Sequence, residues 1–140
     1  MTPRALLDSN VFLFAFERPR SNSEKIVSRA VDGAFKGTVT DRIVREVIRY
    51  FRRHYDKDLS SKYRGLILTT CELALEEDWP ARPSEVALVG RKDAGALAAA
   101  RGLGIPRLVS TDSDFEGVPE WRRPREFVLE QGWRPRPGTE

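Results

Sequence analysis

Cysteine and histidine each occur once in this chain of 140 residues, and each scarcity removes a class of chemistry. The lone Cys71 leaves no partner for an intrachain disulfide, which suits a reducing cytoplasm. It lies in an apolar run from Leu66 to Leu73 without the electropositive neighbours of a nucleophilic thiol, so its expected role is to fill core space. Nothing near His54 suggests a His/Cys zinc site. Long hydrophobic runs are also missing. Asp8 and Asn10 interrupt the run that begins at Ala5, and no later stretch approaches membrane-spanning length. The expectation is a cytoplasmic protein with no membrane association.

What remains is enough for one globular domain. Apolar residues make up 40% of the chain and charged residues 32%, a balance that supports a core and argues against wholesale disorder. The formal charge of +3 and pI near 9.3 are compatible with a nucleic-acid partner without requiring one.

Ala5-Leu6-Leu7 is a short apolar run ending at Asp8-Ser9-Asn10, the pattern of a buried strand that delivers polar groups at its C-terminal end. A short helix from Val11 to Glu17 follows. A second begins near Ser23, with Ile26, Val27, Ala30 and Val31 at helical spacing, and Gly33 and Gly37 bracket its end. Thr38-Val39-Thr40 reads as a strand, with Asp41 as N-cap of a helix reaching about His54. That helix gathers Ile43, Val44, Val47, Ile48 and Phe51 on one side and Arg42, Arg45, Arg49, Arg52 and Arg53 on the other, with Glu46 at the polar margin.

A long helix is expected from about Ser60 to Glu77, with Leu66, Ile67, Cys71, Leu73 and Ala74 facing the core. Pro80 and Pro83 mark Asp78 to Gly90 as a structured connection, and Lys92 to Arg101 as an alanine-rich helix follows it. Arg107-Leu108-Val109 and Phe127-Val128-Leu129 read as strands. The pattern predicts an α/β protein, a three-layer α/β/α sandwich with a central, mainly parallel sheet. Residues 1–131 form the domain, and 132–140, with no apolar period, a flexible C-terminal tail.

Asp8 and Asp112 each follow an apolar strand, so a parallel sheet brings both to one edge. Glu46 enters from a helix margin and Asp93 from the first turn of another helix. Clustered carboxylates repel and raise one another's pKa unless cations compensate. Mg2+ and Mn2+ prefer such oxygen ligands, and one or two ions would align a phosphodiester for hydrolysis. Each acid has a plainer reading as well. Asp8, Asp93 and Asp112 suit helix N-caps, and Glu46 could pair with Arg42 or Arg49.

Leu6-Leu7-Asp8-Ser9-Asn10-Val11-Phe12 resembles the opening strand motif of PIN-domain nucleases. Three further segments resemble that family's later motifs in order: Arg45-Glu46-Val47, Lys92-Asp93-Ala94-Gly95-Ala96-Leu97-Ala98-Ala99-Ala100, and Ser110-Thr111-Asp112-Ser113-Asp114-Phe115. The resemblance spans about residues 4–129. It implies a metal-dependent endoribonuclease, in which Asp8, Glu46, Asp93 and Asp112 form the catalytic metal site. Asp114 is an additional ligand, Asn10 and Thr111 are supporting polar groups, and Arg42, Arg45 and Arg49 contact substrate. The implied cofactor is Mg2+ or Mn2+, one or two ions. The implied partners are RNA, the antitoxin of a toxin–antitoxin pair, and a second copy in a homodimer whose surface includes Phe12, Phe14 and Phe16. The alternatives are a non-catalytic PIN-like module that binds RNA or protein, and a structure-specific DNA nuclease.

Overall fold

Ala5, Leu6 and Leu7 have no solvent exposure, which is what a central parallel strand requires of consecutive residues. The computed structural model describes residues 2–138 and 140. In it, β1 (Arg4–Leu7) lies between β2 (Lys36–Thr40) and β4 (Leu108–Val109) in a five-stranded sheet ordered β3-β2-β1-β4-β5, with every pairing parallel. The outer strands are β3 (Glu72–Ala74) and β5 (Trp121–Arg122). The architecture is the expected three-layer α/β/α sandwich.

Between β1 and β2 run α1 (Ser9–Glu17) and α2 (Asn22–Val31), and between β2 and β3 run α3 (Asp41–His54) and α4 (Lys57–Thr70). The chain then passes through α5 (Pro83–Val89) and α6 (Arg91–Gly102) to β4 on the opposite side of β1. After β5 it ends in α7 (Pro124–Glu130) and the segment beyond. Strand order therefore reverses between β1 and β4. The C-terminal ends of these two strands border the crevice where open α/β sheets place their sites.

Several local expectations need correction. The helix drawn from Ser60 to Glu77 ends at Thr70, and Glu72–Ala74 is an edge strand in which Leu73 is half exposed. Phe127, Val128 and Leu129 belong to α7, opened by Pro124 at its first turn and by a Glu126 carboxylate that accepts the Arg123 backbone N–H at 2.8 Å. The Asp78–Gly90 connection contains α5, also started by a proline, Pro83. The α2 and α3 caps are Ser21 and Thr40, each accepting a backbone N–H three residues on.

Phe12 and Phe16 are committed within the chain. Phe12 is buried, and Phe16 packs edge-on against Phe51, Tyr55 and Tyr63. Residues 133–138, and Glu140, run back along α2. Trp133 packs on Phe35 and Phe127, the Arg136 N–H donates to Asn22 Oδ1 at 2.7 Å, and the Glu140 carboxylate accepts from Ser23 Oγ at 2.6 Å.

Candidate metal centre

Asp8 leaves β1 as the N-cap of α1, and its Oδ1 accepts the Ser9 N–H at 2.8 Å. Its Oδ2 accepts the Ser110 hydroxyl at 2.8 Å and Asn10 Nδ2 at 3.3 Å. The capping reading is thus correct for one oxygen, while the other faces the neighbouring strand. Ser110 follows β4 and has no solvent exposure. Its oxygen also accepts Asn10 Nδ2 and the Asp112 N–H, both at 3.0 Å. Asn10 completes the lattice by accepting the Thr111 N–H at 3.0 Å.

This lattice locks the ends of β1 and β4 together, and Asp112 projects beside Asp8. Asp112 Oδ1 accepts the Asp114 N–H at 2.9 Å, which turns the chain into a short 3-10 turn, Ser113–Phe115. Asp93, in the first turn of α6, completes the group. Carboxylate oxygens of Asp93, Asp112 and Asp114 all lie within 4.8 Å of one another. Asp8 is not among these three but stands close enough for its charge to act on Asp93.

Burial sets the electrostatics. It pushes the Asp93 carboxyl up to about 6, reinforced by the charges of Asp8 and Asp112 and opposed by Arg42 and Lys92. Asp8 is raised chiefly by burial, and the hydrogen bonds from Ser110 and Ser9 counter it. Glu46 is raised by burial too, against the pull of Arg42. An all-oxygen group that is costly to ionise in a confined space can hold a metal ion, because the cation supplies the missing positive charge.

Glu46 stands on α3 at the side of this group. Arg42 Nη1 donates to it at 3.1 Å and Lys92 lies at 3.9 Å, so the plainer pairing with Arg42 is present. Arg42 also reaches Glu76, with Nε 3.2 Å from Oε2, and its charge acts on Asp8 and Asp93. Its guanidinium is turned inward as an internal counter-ion, and its Nη2 is buried without a partner. Arg45 pairs with Asp41 at 3.2 Å and is largely exposed. Arg49 lines a cleft of about 380 Å³ with Asn10, Glu46, Tyr50, Arg53 and Lys92.

Three participants escape a reading by motif. Ser110 lies inside the quoted segment but is the junction of the lattice, whereas Thr111 supplies its backbone groups. Glu76 accepts the Thr40 hydroxyl at 2.6 Å as well as Arg42, and Thr40 in turn caps α3. Gly95 makes room for Glu76, since a Cβ there would lie 1.9 Å from Glu76 Oε1. The glycine in the alanine-rich helix was the available signal.

No protein-family model and no curated protein matches the chain. Among solved structures, it is similar to a chain of a toxin-antitoxin complex from Klebsiella pneumoniae, with 19% identity, a TM-score of 0.62, and coverage of 87% of this chain and 98% of that one. It is also similar to a chain of VapBC2 from Rickettsia felis, solved bound to a DNA fragment from their promoter. That match has 11% identity, a TM-score of 0.63, and coverage of 86% and 98%. The likeness extends over nearly the whole of both chains and upholds the PIN-like resemblance in fold.

Proposed function

We propose that this chain is a metal-dependent endoribonuclease and the toxin of a toxin–antitoxin pair. The observation that carries the reading is the convergence of Asp93, Asp112 and Asp114 within 4.8 Å, with Asp8 alongside, at the crevice between β1 and β4. Support for the toxin assignment comes from the toxin–antitoxin complexes that share the fold.

In this reading Asp8, Asp93, Asp112 and Asp114 hold one or two Mg2+ or Mn2+ ions. Bound there, the cation supplies positive charge to the phosphodiester and favours ionisation of the attacking water. The protein's own groups do the positioning. Ser110 and Asn10 hold Asp8 in register with Asp112, and Arg42 limits repulsion among the acids. Glu46, at the mouth of the cleft, orients the water. Arg49, Arg53 and Lys92 attract the phosphates of the strand that enters, and Tyr50 offers a face to a base.

Incubation with a panel of RNAs and matched DNAs, with Mn2+, Mg2+ or chelator, tests the proposal. The expected result is internal cleavage of RNA that needs the metal and is lost in Asp93→Asn and Asp112→Asn. Equal turnover in these variants, or cleavage confined to DNA, overturns it. An antitoxin would be sought by co-purification with the product of the adjacent reading frame, and homodimerisation by light scattering. The proposed location is the cytoplasm. Among the described residues, no helix is long and apolar enough to cross a membrane.

A further inference from the structure

The final segment, Trp133-Arg134-Pro135-Arg136-Pro137-Gly138, is held against α2 and α7 by its backbone, which leaves its two arginine side chains free for another use. The Arg136 N–H and carbonyl are both engaged by Asn22, at 2.7 and 3.3 Å. Arg125 Nη1 donates to the Arg136 carbonyl at 2.8 Å, and Lys25 Nζ donates to the Arg134 carbonyl. Pro135 and Pro137 restrict the backbone on either side of Arg136.

These contacts assemble Lys25, Arg125, Arg134 and Arg136 around one open cavity of about 490 Å³. Among the described residues its other lining residues are Pro135 and Pro137, and no carboxylate lines it. Arg29 adds a fifth cation nearby, with its guanidinium over the Trp133 ring at 5.5 Å. Among the described residues, none of these five cations forms an ion pair. Arg136 Nε is also buried without a hydrogen-bond partner. Loss of solvent, and then the charges of Arg136, Arg29 and Arg134, hold the Lys25 ammonium below its usual range.

The N-terminus of α2 is not the attraction, because the Glu140 carboxylate already occupies it and accepts the Asn22 and Ser23 N–H groups at 2.7 and 3.1 Å. Like charges gathered around a cavity with no ion pair among them lower their repulsion by taking up an anion. Guanidinium groups favour phosphate through paired N–H donors. The number of cations exceeds what one small anion needs and suits successive phosphates of a strand.

We propose that the cavity formed by Lys25, Arg125, Arg134 and Arg136 binds backbone phosphates of a nucleic-acid strand, as a second contact surface sharing no residue with the acidic centre or its cleft. Binding here requires no metal and no cleavage. It therefore stands or falls independently of the nuclease reading.

The test is fluorescence anisotropy with a labelled single-stranded RNA, in chelator, over a range of salt. The full chain is compared with Lys25→Gln/Arg134→Gln/Arg136→Gln and with Lys57→Gln/Lys62→Gln/Arg64→Gln, which removes the same charge from exposed positions on α4. The cavity variant is expected to bind at least about tenfold more weakly. Its plot of log affinity against log salt should be shallower by about 2, from roughly 0.7 for each lost phosphate contact. The α4 variant should stay near the parent, and Arg134→Lys/Arg136→Lys should retain the slope.

Equal weakening by the two triple variants assigns the effect to net charge and overturns the proposal. So does an unchanged slope in a cavity variant with parental circular dichroism. Tripolyphosphate and poly-glutamate serve as competitors. Displacement of RNA by poly-glutamate at equal charge concentration replaces the nucleic acid with an acidic protein segment, and binding of tripolyphosphate without RNA replaces it with a free phosphate ligand. Either outcome sinks the strand reading.

Discussion

The Ser110 hydroxyl donates to Asp8 Oδ2 at 2.8 Å across 102 positions of sequence, while its oxygen accepts the Asp112 backbone N–H at 3.0 Å. One side chain thereby fixes the distance between the two strand-end acids. The bond is buried, so neither partner can exchange it for water without cost.

Replacing Ser110 with alanine should destabilise the fold by about 1–3 kcal/mol, because the Asp112 N–H loses its acceptor and Asp8 a donor. Urea denaturation measures this. The same variant should bind Mn2+ about 10–100-fold more weakly in a calorimetric titration, the usual penalty for removing a group that orients ligands. Unaltered Mn2+ affinity would mean that the lattice serves folding alone.

The raised carboxyls predict how stability depends on pH in metal-free protein. Asp93 is ordinarily near 3.8 but stands at about 6 when folded, so the folded state binds more protons between these values. Its contribution is complete below about 4 and is lost as pH rises through about 6. Asp8 and Glu46 are shifted the same way, for the same principal cause. The thermal midpoint in chelator should fall as pH rises from about 4 to about 6 and level off above that. Mn2+ at about 100 times its dissociation constant should restore about 2.7 kcal/mol at neutral pH.

Asp93→Asn removes one of these ionisations. The variant should be more stable than the parent at neutral pH without metal, should show a smaller fall between about pH 4 and 6, and should gain little from Mn2+. Metal-dependent RNA cleavage should drop by at least about a hundredfold, the scale on which a lost electrostatic stabiliser is felt. A midpoint that falls in Asp93→Asn and still rises with Mn2+ would assign the ion to other ligands.

Gly95→Ala should be unfavourable despite the better helix propensity of alanine, a gain of up to about 1 kcal/mol. A methyl group there forces the Glu76 carboxylate away from Thr40 and Arg42, at a cost of about 1–3 kcal/mol. Once released from Glu76, Arg42 should lean more heavily on the acids. Weaker Mn2+ binding together with lower stability is the expected signature. A net gain in stability would show that Glu76 moves aside freely.

Trp133→Ala examines the final segment. The ring packs on Phe35 and Phe127 and carries Arg29 on its face. Its removal should cost about 1–3 kcal/mol in urea denaturation. It should also speed amide hydrogen exchange at Arg136, whose N–H is held by Asn22 Oδ1 at 2.7 Å. A variant with parental stability and exchange rate would show that the Trp133 ring does not hold the final segment on α2.

The features legible in the sequence were those in which burial leaves a simple trace. A strand covered on both faces must be continuously apolar, so β1 and the end of β4 were readable, and with them the convergence of Asp8 and Asp112. Short elements left weaker traces. Phe127-Val128-Leu129 is as apolar as a strand, yet Phe127 and Val128 are buried and Leu129 exposed, as on a helix of about two turns. The strand beside β4, Trp121–Arg122, has no apolar run at all. It is held by backbone pairing and by the Trp121 indole N–H on the Ser110 carbonyl at 2.9 Å. Glu76 was invisible because its importance comes from Arg42 and Thr40, both more than 30 positions away.

The sheet order has a consequence for the time at which this acidic centre can exist. A chain growing from its N-terminus has displayed Asp8, Glu46 and Asp93 before the strand that pairs with β1 on their side has been made. Until β4 and Ser110 emerge, nothing gathers the carboxylates, and their mutual repulsion favours keeping them apart. Whatever the centre does, the group cannot be complete before the chain has been made through β4 and Asp112.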